Sequence, residues 1–192
     1  MTTYSMTAYP KTMELLDGQT MTIRPMVSSD RDALLKFFLR VSEEDRYYLK
    51  EDVTSPEVIK QWAENLNYAR ALPLLVLLDG EIVADGTLHR RRAGARKHIG
   101  EIRVVVDAEY RSKGVGTALI RELITIAKDA DLENLIFELV AEEQAPAVRA
   151  AESLGFVRLA TLPNHVRDFH GKPDDLLILE LSLGKWQEWW GF

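Results

Sequence analysis

The chain has 192 residues, of which 46% are hydrophobic and 28% are charged, a balance typical of a soluble globular protein with one sizeable core. Its formal net charge of −6 disfavours a general nucleic-acid binder, and the lack of cysteine excludes disulfides, thiolate metal sites and a cysteine nucleophile. No apolar run reaches about 18 residues and the first residues lack an apolar signal core, so we expect a cytoplasmic protein with no membrane or nucleic-acid partner.

The N-terminal part of the chain predicts one strand and two helices. Residues 1–19 are polar and are interpreted as a tail or a lead-in strand, whereas residues 21–27 alternate in polarity as a strand does. The run Ser28-Ser29-Asp30 is expected to cap a first helix. A second helix is expected to begin where Thr54 or Ser55 precedes Pro56.

The rest of the chain predicts a sheet with crossover helices. A continuous apolar run at 72–78 and a strand at 81–90 are separated by Asp79-Gly80, a dipeptide typical of a hairpin turn. Further strands are predicted at 98–106, 134–140, 156–162 and 174–183, with helices over 119–127 and from Pro146 to Leu154. Hairpins followed by βαβ units predict an α/β (α+β) fold with a mixed sheet and helices on both faces.

A basic turn with two glycines joins the strand ending near residue 106 to the next helix. The stretch 104–119 reads VVVDAEYRSKGVGTAL, and three phosphate-loop patterns can be compared with it. The Walker-type loop fails because Lys113 precedes its glycine, and the dinucleotide fingerprint lacks its third glycine. The pattern [RQ]-x-x-G-x-[GA] fits at Arg111, Gly114 and Gly116.

This turn has the features of a diphosphate-binding site. Glycines without Cβ atoms allow backbone N–H groups to approach a ligand closely, and the following helix N-terminus adds donors and a positive dipole. Arg111 and Lys113 add positive charge in an otherwise acidic chain. The alternative is an ordinary strand-to-helix turn that happens to contain glycine and lysine.

The same stretch resembles motif A of the GNAT superfamily of N-acetyltransferases, which bind acetyl-CoA. Residues 144–156, QAPAVRAAESLGF, resemble the motif B of this family. Shorter stretches near both ends resemble the GNAT domains of bacterial protein-lysine acetyltransferases. The resemblance spans residues 20–183 and implies a mostly antiparallel sheet of about six or seven strands, flanked by the lead-in segment 1–19 and an aromatic tail at 184–192.

The resemblance implies an enzyme that transfers an acetyl group from acetyl-CoA to a primary amine, of a small molecule or a protein lysine, by direct attack on the thioester. No metal is implied, and a homodimer is left open. Two alternatives remain at this point. The first is an acyl-CoA-binding regulatory module with weak or no catalysis, and the second is a scaffold that binds no CoA.

The resemblance also implies a set of site residues. Glu101 is the implied general base, and its position between Ile99 and Ile102 predicts partial burial that would raise its pKa. The alternative is an exposed strand carboxylate paired with Arg103 or His98. Weaker candidates for the base are His89, Glu138, His165 and His170. The implied acetyl-CoA-binding residues are Val104, Val105, Val106, Arg111, Ser112, Lys113, Gly114, Val115, Gly116, Thr117 and Gln144.

The chain departs from the family pattern at positions that matter for the chemistry. Ala151 stands where many members carry the tyrosine general acid, and Gln144 replaces the asparagine that begins motif B. Ser153 or a water is left as a substitute acid. Ser112 replaces a usual glycine and is tolerated only if its backbone keeps a conformation open to other residues.

Overall fold

The computed structural model describes residues 6–15 and 18–184. Within these residues eight strands form one mixed, mostly antiparallel sheet, accompanied by five α-helices, which confirms the predicted fold class. The strands are β1 (Lys11–Glu14), β2 (Thr20–Pro25), β3 (Ala71–Leu78), β4 (Glu81–Arg90), β5 (Ile99–Val106), β6 (Asn134–Val140), β7 (Val157–Arg167) and β8 (Pro173–Ser182). The helices are α1 (Arg31–Arg40), α2 (Glu43–Tyr47), α3 (Pro56–Glu64), α4 (Val115–Asp129) and α5 (Ala145–Ser153). The strand order is β1-β2-β3-β4-β5-β6-β8-β7.

The chain forms two compact units, and β4, β5 and α4 each run from one unit into the other. The first unit contains the described residues up to Thr87 together with Val104–Leu119. The second unit contains Leu88–Arg103 together with the described residues from Ile120 onward. None of the described helices is long and apolar enough to cross a bilayer. The aromatic tail predicted at 184–192 lies, beyond its first residue, outside the described residues.

The first unit is organised around the apolar faces of α1 and α3. On α1 the buried residues Leu34, Phe37 and Phe38 follow the i, i+3, i+4 spacing of one helical face. Helix α3 begins with Pro56 in its first turn, after Ser55 accepts a hydrogen bond from the Val58 amide. The buried core of this unit consists of Met26, Leu34, Phe37, Phe38, Val41, Val53, Ile59, Ala63, Leu75 and Ile82.

The hairpin between β3 and β4 follows the sequence prediction. Asp79 and Gly80 have φ values of 48° and 84°, the left-handed pair that a two-residue hairpin turn requires. Strand β1 pairs antiparallel with β2, with Lys11 opposite Ile23, and β2 pairs antiparallel with β3. Because β1 falls in the segment interpreted as a tail or lead-in strand, the sheet has eight strands rather than six or seven.

In the first unit one local prediction is wrong and one short helix was missed. Ser28-Ser29-Asp30 forms a short 3₁₀ turn before α1 instead of supplying a side-chain cap, because the Asp30 carboxylate binds elsewhere. It accepts two hydrogen bonds of 2.6 Å from Arg24 and one of 2.8 Å from the Val27 amide. The short helix α2 was not predicted, since five residues are too few to show a helical period.

The second unit contains the single parallel pair described for the sheet and a long antiparallel pair. Strand β5 pairs parallel with β6 from Ile99 opposite Asn134 to Glu101 opposite Ile136. Strand β6 runs antiparallel to β8 along its whole length, to Val140 opposite Leu176. Helix α5 ends before Gly155, whose φ of 95° suits a left-handed helix terminus. Strand β7 extends to Arg167 through register shifts, five residues beyond its predicted end.

Candidate functional site

The turn after β5 is held at its start by Asp107. The Asp107 amide donates a 3.0 Å hydrogen bond to the Val83 carbonyl on β4, which ties the end of β5 to its neighbour. The Asp107 side chain accepts from the Glu109 amide at 3.2 Å and so caps the short 3₁₀ helix Ala108–Tyr110. The chain then turns through residues 111–114 into α4.

Arg40, at the end of α1, binds the residue that begins the same turn. Its Nε donates to Asp107 Oδ2 at 3.2 Å, and its Nη2 donates to the Ile82 carbonyl at 2.7 Å. The Asp107 side chain is almost fully buried, so this guanidinium supplies the charge that a buried carboxylate needs. Sequence reasoning missed Arg40 because 67 residues separate it from Asp107 and no local pattern links them.

The reversal of the chain depends on two left-handed residues. Gly114 has a φ of 90°, which only glycine adopts without cost, and Ser112 has a φ of 60°. A residue with a Cβ pays about 1 kcal/mol or more in this region. From the sequence, Ser112 was expected to need a backbone conformation open to residues other than glycine. Its φ of 60° is one that serine adopts only with strain and that the usual glycine would adopt freely.

The two cations of the turn have different environments. Arg111 is half-exposed; its Nη2 forms a 2.7 Å ion pair with Asp45 Oδ2 on α2, and its Nε donates to the Val106 carbonyl at 3.2 Å. Lys113 Nζ lies 5.2 Å from the centroid of the Tyr110 ring, within cation–π range. An anion that approaches the turn therefore competes with Asp45 for Arg111.

The first turn of α4 is open on one side. Gly116 has ordinary helical geometry, and a Cβ added there would meet one atom of the described protein within 4 Å beyond the local backbone, Val106 Cγ2 at 3.5 Å. The first N–H groups of a helix have no intrahelical partner, so those of this turn are available to a ligand. The Val115 side chain is buried, whereas Thr117 is half-buried.

The Val104–Val106 segment of β5 is half-buried rather than fully buried, so it is not simply a buried core strand. Val105 packs against the apolar core of the first unit. The pairing of β5 with β6 ends at Glu101, three residues before Val104, although β6 itself continues to Val140 along β8. Backbone groups of β5 after Glu101 therefore have no ladder partner on described residues of β6.

Glu101 belongs to the second unit and is paired with a cation. Its Oε1 accepts hydrogen bonds from Arg103 Nε at 2.9 Å and from Arg103 Nη2 at 2.8 Å. About a third of the Glu101 side chain is exposed. Of the two environments considered from the sequence, this is the carboxylate paired with Arg103, in a charge-assisted contact.

The remaining motif B positions also lie in the second unit. The Gln144 side-chain carbonyl accepts a 2.8 Å hydrogen bond from the Val140 amide, which links the end of β6 to the start of α5. Ala151 is fully buried in the core-facing side of α5. The Ser153 hydroxyl donates to the Ala150 carbonyl at 2.7 Å, so its proton is already engaged within the helix.

Asp85 on β4 was missed by sequence reasoning. Its Oδ1 is buried and forms no hydrogen bond with any residue that the structure describes. Burial raises the pKa of the Asp85 carboxyl from its usual value near 3.8 to about 7. The signal in the sequence is an aspartate within the apolar run IVADGTL, where the Asp-Gly pair looks like a turn. Among the described residues, no three His, Asp or Glu side chains are grouped in a way that would hold a metal ion.

These features can be compared with known families. A family model described as the acetyltransferase (GNAT) family matches residues 35–156. The chain belongs to the GNAT acetyltransferases. This confirms the resemblance carried by motifs A and B, and places the turn at 107–114 and the start of α4 inside the matched region.

One curated relative of this GNAT protein is the L-amino acid N-acetyltransferase AaaT of Escherichia coli (strain K12). It is 28% identical over 96 residues, which cover 50% of this chain and 59% of the relative. The chain thus aligns with less than two thirds of that relative's length.

Solved structures described as acetyltransferases or GNAT domains share the fold over most of the chain. YncA from Salmonella typhimurium, solved with its cofactor acetyl-CoA, is 20% identical with a TM-score of 0.70, covering 86% of this chain and 95% of that one. The GNAT domain of S. lividans PAT is also 20% identical, with a TM-score of 0.73 and coverage of 90% and 96%. At these identities the likeness establishes the fold alone.

Proposed function

We propose that this GNAT protein is an acetyl-CoA-dependent N-acetyltransferase that acetylates a primary amine, of a small molecule or a protein lysine. The observation that carries the proposal is the open first turn of α4, where Gly116 presents backbone and no side chain to the ligand space. The acetyl-CoA bound to the Salmonella relative and the amine substrate named for the Escherichia coli relative support it. We assign this activity to residues 20–183, and we propose that the protein is bacterial and cytoplasmic.

The turn residues fit the diphosphate of CoA. Amides from Gly114 to Thr117 lie at the positive end of a 15-residue helix, a preferred site for phosphate groups. Lys113 and Arg111 add positive charge beside them. We assign the pantetheine arm to the backbone of Val104–Val106, and the Gln144 side chain to a supporting contact.

The transfer itself requires a neutral amine and a stabilised oxyanion. A lysine-type amine has a pKa near 10.4, so it is mostly charged at neutral pH and a base speeds the reaction. We assign this role to Glu101, which is paired with Arg103 and must release part of that contact to take the proton. Backbone N–H groups near Val104–Val106 would donate to the oxyanion. Acetyl-CoA supplies the thioester that the amine attacks.

A second candidate is an acyl-CoA-binding module without catalysis. The observation that favours it is Ala151, which is fully buried and provides no polar group where many relatives carry a tyrosine. The two candidates differ in turnover and share acetyl-CoA binding, so one set of measurements separates them. A homodimer is compatible with both.

The first measurement is acetyl-CoA binding by isothermal titration, with wild type and Gly116→Ala. The structure has room for this Cβ beside Val106, so the variant should fold with equal or slightly higher stability, yet bind acetyl-CoA at least ten-fold more weakly. No binding to wild type would refute both candidates. Equal binding to both proteins would refute the placement of the diphosphate at α4.

The second measurement is acetyl transfer to a panel of amines that includes L-amino acids, simple alkylamines and a lysine peptide. Wild type should acetylate at least one class, and Glu101→Gln should slow that reaction about 10²–10⁴-fold. Binding without transfer to any amine would favour the regulatory module. If Glu101→Gln matched wild type across the pH range, the base would have to be another group.

A further inference from the structure

Asp85 differs from the buried aspartates of the described chain because its buried Oδ1 atom has no hydrogen-bond partner among the described residues. Asp107 binds Arg40, and Asp30 binds Arg24. Asp168 and Asp174 each accept hydrogen bonds from two backbone amides. Burying a carboxyl without such partners is costly, and a protein retains one mainly where the group has a task.

The position of Asp85 places it near the strand assigned to the acyl arm. It lies two residues along β4 from Val83, whose carbonyl accepts from the Asp107 amide, a distance of about 7 Å along an extended strand. Asp85 and Val104–Val106 belong to the same compact unit. The missing side chain of Gly86 faces Leu119 on α4, so Asp85 points to the opposite face of β4.

The state of the carboxyl suits a proton donor. Burial raises the pKa of Asp85 to about 7, and no charged side chain of the described residues contributes to this shift. A large share of Asp85 is therefore a neutral acid at neutral pH. Its Oδ1 is buried, whereas the residue as a whole is only half-buried.

The chain offers no acid at the usual place. The motif B position is Ala151, and the nearby Ser153 hydroxyl is bound to the Ala150 carbonyl. A CoA thiolate, taken as an alkyl thiol with a pKa near 8.5, is more basic than the Asp85 carboxylate. Proton transfer from Asp85 to the leaving sulfur would therefore be favourable.

We propose that Asp85 is the general acid of the acetyl transfer, the group that protonates the CoA sulfur as it leaves. This inference rests on the proposed function. Glu101 first takes one proton from the ammonium form of the substrate and passes it to solvent. The neutral nitrogen then forms a C–N bond to the acetyl carbon, and the C–S bond breaks with its electron pair on sulfur. The Asp85 proton moves to that sulfur to give the thiol, a second proton from the nitrogen goes to Glu101, and solvent then returns one proton to Asp85 and accepts one from Glu101.

The test compares wild type with Asp85→Asn, using acetyl-CoA and the best amine of the panel. We expect kcat/KM to fall about 10²–10⁴-fold in the variant, while acetyl-CoA binding stays within three-fold. The ratio of wild-type kcat/KM to variant kcat/KM should fall as pH rises through about 7, because only the wild type depends on a protonated Asp85, whereas the titration of the amine is common to both proteins. Thr87→Val, on the same face of β4, is the matched control and should keep the wild-type rate and pH profile.

An acetyl donor whose leaving group needs no proton distinguishes a loss of acid catalysis from a structural effect of the substitution. With the acetyl thioester of 4-nitrothiophenol, whose thiolate is a good leaving group, Asp85→Asn should lose at most a few-fold in rate relative to wild type. An equal loss with both donors would overturn the inference, and so would a wild-type rate and pH profile with acetyl-CoA. If wild type neither binds nor uses acetyl-CoA, the proposed function fails and this inference fails with it, whereas an active wild type with an unaffected Asp85→Asn overturns the inference alone.

Discussion

The burial of Asp85 predicts a specific dependence of stability on pH. In the unfolded chain this carboxyl titrates near 3.8, and in the folded protein burial raises its pKa to about 7. Between these values the native state binds more protons than the unfolded state, so the free energy of unfolding decreases as pH rises. The difference of about three pKa units, at 1.36 kcal/mol each, corresponds to roughly 4 kcal/mol lost between pH 4 and pH 7.

Replacing Asp85 with asparagine removes this titration while keeping the shape of the side chain. The variant should match wild type near pH 4 and become progressively more stable than wild type as pH rises, by up to about 1.4 kcal/mol per pH unit, reaching roughly 4 kcal/mol above pH 7. Urea unfolding of both proteins from pH 5 to pH 8 measures the difference, in which the titrations common to both proteins cancel.

Asp52→Asn provides the matched control for this series. The pKa of Asp52 is lowered, chiefly by a hydrogen bond from the Thr54 hydroxyl, so this carboxyl is charged in both states throughout that range. Its stability difference from wild type should therefore be constant from pH 5 to pH 8. If the Asp85→Asn difference were equally constant, Asp85 would not be a buried acid of raised pKa, and the basis for its proposed role would be lost.

Two further predictions concern the turn. Ser112→Gly should raise the free energy of unfolding by about 0.5–1 kcal/mol, because glycine adopts φ near 60° without strain, whereas Ser112→Ala should give no gain; an equal gain in both would contradict the strain argument. Asp45→Asn should tighten acetyl-CoA binding by up to about five-fold in isothermal titration, because it releases Arg111 from a half-exposed ion pair, while Arg111→Gln should weaken binding; weakening by both would mean that Asp45 positions Arg111.

The strand and helix pattern could be predicted wherever local signals are strong. Strand β4 occurs at 81–90 as predicted because the Asp79-Gly80 turn fixes where the hairpin reverses. The prediction ended strand β7 too early because Pro163 and Asn164 look like turn residues. Instead they lie at a bulge, with Asn164 at a φ of 51°, where β7 shifts register against β8 and then continues.

The turn residues of the candidate site were predictable, but their partners were not. The spacing of Arg111, Gly114 and Gly116 is a local pattern, and the same short stretch encodes the strand end, the reversal and the helix start. The contacts of Arg111 with Asp45 and of Asp107 with Arg40 depend on how distant segments pack. For α2, the run from Ser42 to Asp45 was an available signal, since the Ser42 hydroxyl accepts from the Asp45 amide as an N-cap does.

Two carboxyls of this chain have different surroundings. Glu101 is paired with the Arg103 guanidinium, whereas burial raises the pKa of Asp85 to about 7 and keeps much of it neutral at that pH, as an acid requires. Two departures in the sequence then explain each other. If a motif B tyrosine protonated the sulfur, a buried aspartate in an apolar strand would cost stability without serving the reaction. If Asp85 were absent, Ala151 would leave the sulfur without an acid. In the proposed mechanism the general acid is on β4 rather than on α5, and Ala151 on α5 packs in the core.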